Sequence, residues 1–166
     1  MANTRATRRR QSSGNRTYTA SDPRTGTLVA VVTDRVQPNG LAFSPDERIL
    51  YVSDTGASHV AGHPRAIVAY DVRPDNTVAN PRIFATLSDG FYDGFRCDTH
   101  GNVWTSASGG VHCYALDGTH IGTIPMPELV SNVCFGGRKR NRLFITAQTS
   151  LYAIYVNAQG ALRPRP

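Results

Sequence analysis

No stretch of this 166-residue chain approaches the length of apolar sequence that a membrane-spanning helix needs. The basic start, MANTRATRRRQSSGNR, has no apolar segment behind it and does not read as a secretory signal. A cytoplasmic protein is therefore expected, and the sequon match at Asn15-Arg16-Thr17 reads as chance. Cysteine is scarce. Cys97, Cys113 and Cys134 make an odd count with no C-x-x-C spacing, so neither a disulfide framework nor a zinc site is suggested. Each lies in an apolar, strand-like run, and buried, reduced thiols are expected. A glycine-rich phosphate loop is missing, and so is any helix-period stretch of useful length.

Acidic residues are absent from residues 1–16, which hold Arg5, Arg8, Arg9, Arg10 and Arg16. The formal charge of +6 therefore resides almost wholly in that segment, since 13 basic and 12 acidic residues remain beyond it. Residues 1–16 read as a disordered basic tail, and residues 17–166 as the folded domain. A tail of this kind can touch nucleic acid, but that is the weakest of the functional readings. The cluster Arg138-Lys139-Arg140-Asn141-Arg142 falls in a predicted turn and reads as solvation of that turn.

What the chain does contain is short strands. Hydrophobic residues make up 40% and charged residues 18%, enough for one globular core. RTYTAS, TLVAVVT, GLAFS, RILYVSD, AIVAYDV, RIFATL, GFRCD, NVWTSA, GVHCYAL, HIGTIPM, NVCFG, RLFITAQ and SLYAIYV are rich in Val, Ile, Tyr, Phe and Thr. Turn-forming segments such as DPRTG, SPDE, RPDN, THGN and LDGT separate them. The fold class is all-β.

The strands repeat. PNGLAFSPDERILYVSD, YDGFRCDTHGNVWTSA and SNVCFGGRKRNRLFITA each open with an amide or carboxylate: Asn39, Asp93 and Asn132. Each continues through a short apolar strand and a polar turn to an aromatic residue 11 or 12 positions on: Tyr51, Trp104 and Phe144. The openers are 54 and 39 residues apart, a recurrence that marks a β-propeller, of which this chain would hold about three blades.

From about Tyr18 onward the running motifs PNGLAFSPDE, LYVSDTG, DGFR, GNVW, NVCFGG, RLFIT and SLY resemble the SMP-30/gluconolactonase/LRE (regucalcin-like) family. That resemblance implies six-bladed propellers with one divalent metal in the central channel, many of them hydrolases of sugar lactones. It covers the C-terminal half only. A truncated form is thus expected, without the family's N-terminal metal-ligating Glu and much of its substrate-contacting surface. By resemblance, Asn39 would offer an amide oxygen and Asp93 a carboxylate oxygen to the metal, with Asp93 also the general base. Ca²⁺ suits an all-oxygen site best, with Zn²⁺ or Mg²⁺ as alternatives.

Each assignment has a structural competitor. Asn or Asp before Gly is commonly a turn residue. Asn132 lacks the flanking ligand motif and reads as a channel-lining polar group or a turn residue. Asp54 and Asp98 read as structural. His59 and His63 have a zinc-like spacing of four but sit in the Gly- and Pro-bearing loop DTGASHVAGHPR, where helix geometry fails. His100, His112 and His120 show no nucleophilic arrangement with a cysteine. Two functions compete: a metal-dependent hydrolase of sugar-type lactones with an incomplete metal site, and a catalytically inactive propeller fragment or binding module. Open blade faces would favour self-association.

Overall fold

A computed structural model describes residues 5–9, 17–22 and 25–162. It contains fourteen strands: β1 (Arg5–Arg9), β2 (Thr17–Ser21), β3 (Leu28–Val32), β4 (Pro38–Phe43), β5 (Ile49–Asp54), β6 (Ala66–Val72), β7 (Val78–Thr86), β8 (Phe95–Cys97), β9 (Val103–Ala107), β10 (Gly110–Tyr114), β11 (His120–Pro125), β12 (Val130–Gly136), β13 (Arg142–Ala147) and β14 (Leu151–Tyr155). Among the described residues, the only helix is a single 3-10 turn, Gly56–Ser58. The strands form four antiparallel sheets in the orders β1-β2-β3, β4-β5-β6-β7, β8-β9-β10-β11 and β12-β13-β14.

Every segment expected to be a strand is one. β1 is an addition, because Arg5–Arg9 was expected within a disordered tail. It pairs with β2 in the register Arg5↔Ser21 to Arg9↔Thr17. β1 is the edge strand of its sheet. The rest of the expected tail, with Asn15 of the sequon, lies outside the described residues.

Three apolar clusters fill the spaces between consecutive sheets. Tyr18 and Val32 pack on Leu50, Val52, Val68 and Tyr70. Tyr51, Ile67 and Ala69 pack on Tyr92, Phe95, Cys97 and Val103. Val111, with Trp104 and Ile124 at its margin, packs on Val133, Phe135, Leu143 and Ile145. Sheets stacked in this order bring the first strands β4, β8 and β12 side by side, with β8 touching both neighbours. The arrangement is propeller-like.

Two expectations need correction. Cys97 and Cys113 are buried, but Cys134 is exposed. Strand alternation on β12 turns Val133 and Phe135 into the core, and Cys134 therefore points the other way. The basic cluster does more than solvate a turn. Arg140 donates from Nε to the Gly160 carbonyl at 3.0 Å and from Nη2 to the Ala161 carbonyl at 2.7 Å. Its guanidinium pins the returning chain, which also bridges to Asp98 through Gly160.

Candidate functional site

Asn39 is the second residue of β4, Asp93 stands two residues before β8, and Asn132 is the third residue of β12. All three are strand heads at one end of adjoining strands. The glycines that follow the first two explain why. A Cβ on Gly40 would lie 1.9 Å from the Asp93 carbonyl oxygen, and one on Gly94 would lie 2.1 Å from Oδ1 of Asn132. Neither glycine is among those with positive φ, so close approach and not turn geometry requires them. The structure thus sets the 39–40, 93–94 and 131–132 segments against one another in succession. Asn39 and Asp93 are partly buried, and Asn132 is exposed beside Gly94. The Tyr18 hydroxyl donates to the Asn39 carbonyl from the preceding sheet.

Two buried serines hold these heads, and sequence reading overlooked both. Ser53 Oγ accepts from the Gly40 N–H at 2.7 Å and donates to the Asp93 carbonyl at 3.1 Å. Ser106 Oγ accepts from the Asp93 N–H at 3.1 Å. Its own proton faces the Gly94 carbonyl at 3.1 Å and the Ser131 carbonyl at 3.4 Å. Both side chains are fully buried. The β12-β13-β14 sheet carries Thr146 at the matching place, exposed, with Oγ1 at 2.9 Å from Ser131 Oγ and 3.3 Å from the Asn132 carbonyl. The signal was present in the sequence: a hydroxyl two residues after each repeat's aromatic, in Tyr51-x-Ser53, Trp104-x-Ser106 and Phe144-x-Thr146.

The other carboxylates near strand ends are committed to the scaffold. Asp54 takes N–H donors from Val36, Gln37 and Gly56 and sits 2.9 Å from His63 Nε2. Burial opposes its ionisation, but the Gln37 amide, His63 and the remaining amides outweigh that, and the carboxyl is held below its ordinary pKa. Asp98 accepts from the His100 and Asn102 amides, Asn102 Nδ2 and Trp104 Nε1. His112 rests between strands with Nε2 at 3.0 Å from the Ser108 carbonyl, which fixes the proton on that nitrogen. Burial first, and His120 second, push its pKa down.

As a cation site, the strand heads fit in kind and fall short in number. Asn39 and Asp93 supply an amide and a carboxylate, the donors a hard divalent ion prefers. Among the described residues, no group of three or more His, Cys, Asp or Glu side chains is placed to hold a metal.

The family model for the SMP-30/gluconolactonase/LRE-like region matches residues 1–149. The lactonohydrolase oryH of Aspergillus oryzae is 30% identical over 158 residues, 84% of this chain and 34% of that protein. The gluconolactonase of Zymomonas mobilis is 31% identical over 140 residues, 81% of this chain and 39% of that one. This chain thus spans about a third of the length of the curated relatives it matches. The solved structure of a gluconolactonase from Xanthomonas campestris superposes with a TM-score of 0.77 at 35% identity, covering 89% of this chain and 46% of that one. Regucalcin from Agrobacterium tumefaciens, a calcium-binding protein, has the same fold, with a TM-score of 0.73 at 20% identity. The chain belongs to the SMP-30/gluconolactonase/LRE-like family.

Proposed function

We propose that residues 17–166 form about three blades of a six-bladed propeller and act as a metal-dependent hydrolase of sugar-type lactones. The observation that carries this reading is the contact of the Asn39-Gly40 head with the Asp93-Gly94 head across Ser53. Two oxygen-bearing side chains far apart in sequence are thereby offered at neighbouring strand heads. Relatives that are gluconolactonases and lactonohydrolases support the substrate class.

Asn39 and Asp93 would hold the cation, Ca²⁺ first by donor type, and Asn132 would line the channel beside them. When bound, the ion would polarise the lactone carbonyl. The Asp93 carboxylate accepts a proton from the attacking water on one of its oxygens. That water's oxygen bonds to the acyl carbon, the ring C–O bond breaks, and the departing alkoxide takes the proton back from Asp93 to give the hydroxy acid and the free carboxylate. Asn39, neutral and a donor as well as an acceptor, orients the substrate oxygens without competing for the proton. Among the described residues Asn39 and Asp93 are the two ligands on offer, and weak metal binding in the cytoplasm is part of the proposal.

Acid release from glucono-lactone, followed at constant pH with and without added Ca²⁺ or Zn²⁺, tests it. Metal-dependent turnover that Asp93→Asn removes is the expected result. Rates equal to the buffer blank under every metal would favour the inactive binding module.

Self-association is the second part of the proposal. On the β12-β13-β14 sheet, Cys134, Thr146, Leu151 and Tyr155 are exposed, and Leu151 and Tyr155 are 68% and 70% accessible. In the β4 sheet, Ser53, the counterpart of Thr146, is fully buried, and Tyr51 on the same face packs into the next sheet. A second copy of the chain would cover this face. Light scattering across a dilution series reads the outcome, and a monodisperse monomer at all concentrations would remove this part.

A further inference from the structure

Three hydroxyl groups recur at one position of the repeat, and the first two share an unusual pattern of partners. Each bonds main-chain groups of its own sheet's strand head and of the next sheet's. Ser53 joins Gly40 of β4 to Asp93, which leads into β8. Ser106 joins Asp93 and Gly94 to Ser131 of β12. Main-chain bonds add to the second junction, because Gly94 N–H donates to Ser131 O at 3.0 Å and Ser106 N–H donates to Gly94 O at 3.0 Å. Asp93 is the residue common to both junctions. Its carbonyl is fixed by Ser53 from one side and its N–H by Ser106 from the other.

We infer that Ser53 and Ser106 are positioning residues that set where Asp93 stands relative to Asn39. A residue whose N–H and C=O are gripped by two different sheets has both flanking peptide units held and little freedom in its own φ and ψ, so its side chain leaves the backbone in a fixed direction. The hydroxyl is the right group for this work. It accepts one bond and donates another through a single short side chain, which no aliphatic residue of that size can do. Both hydroxyls are buried, so water cannot replace either bond without opening the junction. At the third repeat the same hydroxyl turns back on its own sheet: Thr146 meets Ser131 and Asn132. No further sheet among the described residues follows this one to cover Asn132, and it is exposed.

The purpose assigned here rests on the reading of Asn39 and Asp93 as a cation site, but the positioning can be measured apart from it. Ser53→Ala and Ser106→Ala are compared with Ser44→Ala, a control whose buried hydroxyl serves only the turn at Asp46 and Ile49. Two readouts are taken: Ca²⁺ affinity by calorimetry and amide hydrogen exchange at Gly40 and Asp93. Loss of one hydrogen bond to each amide should speed exchange about tenfold, at Gly40 in Ser53→Ala and at Asp93 in Ser106→Ala. Calcium affinity should fall about tenfold in both, while Ser44→Ala loses stability and leaves both readouts alone. Equal affinities and equal exchange in all three variants would overturn the inference. If the unaltered protein binds no Ca²⁺, the cation reading fails, and the exchange comparison alone decides the positioning. Ser53→Cys and Ser106→Cys, which weaken the bond with little change of shape, replace any alanine variant that does not fold.

Discussion

Trp104 Nε1 donates to Oδ2 of Asp98 at 3.0 Å, on a carboxylate that has no exposed surface. Three further N–H donors, from His100, Asn102 and the Asn102 side chain, complete its shell. Asp98→Asn puts an NH₂ group where every neighbour is a donor. A loss of about 2–4 kcal/mol is expected. Trp104 is the only tryptophan, so its fluorescence in a urea titration reports the change directly. Asp93→Asn should leave that transition nearly in place and remove lactone turnover. Equal loss of turnover in both variants at equal stability would contradict the division of roles.

Stability should depend on pH through Asp54. Its folded pKa lies below the ordinary 3.8, so its contribution is fully present above that value and is lost as the pH falls through the depressed one. Urea midpoints should therefore hold from about pH 7 to 5 and drop below about pH 4. Asp54→Asn should flatten that acid limb and lower stability at neutral pH by about 3 kcal/mol. An unchanged acid limb in the variant would refute the assignment.

One of the three thiols should react fast with a disulfide reagent at neutral pH. Cys134 is exposed, whereas burial pushes Cys97 and Cys113 up to about 12, with a small further push from Asp98. Cys134→Ser should remove the fast phase entirely, and the other two should appear only on denaturation. Two fast thiols would contradict the burial of the pair.

Gly40→Ala and Gly94→Ala should differ in kind. At Gly40 the obstacle is the Asp93 main chain, which cannot move aside, and a loss of about 3 kcal/mol or more is expected. At Gly94 the obstacle is the Asn132 side chain, so Asn132→Ala should rescue Gly94→Ala and do nothing for Gly40→Ala. Denaturant midpoints for the double-mutant cycle check this.

Strand positions and the opener repeat were legible because both are written in local sequence: alternation, turn residues and a recurring Asx before an apolar run. Gly40 and Gly94 were visible as glycines but not as contacts, since what excludes a side chain there lies in the next sheet. Ser53 and Ser106 escaped for the same reason. A serine inside an apolar strand has no local signature of its two partners, 13 and 40 residues away for Ser53. β1 was missed because an arginine-rich edge strand has the composition of an unstructured tail. Cys134 was misjudged because an apolar run does not reveal which face will lack a neighbour.

The hydroxyls of Ser53 and Ser106 touch only backbone atoms of the strand heads. Such a joint is blind to the side chain it presents. Asn39, Asp93 and Asn132 could each be exchanged for another residue while the spacing of their α-carbons stayed the same. Chemistry at the strand heads is therefore free to diversify on an unaltered frame, and substitution at residues 39, 93 or 132 should redirect what the protein binds at little cost to how it folds.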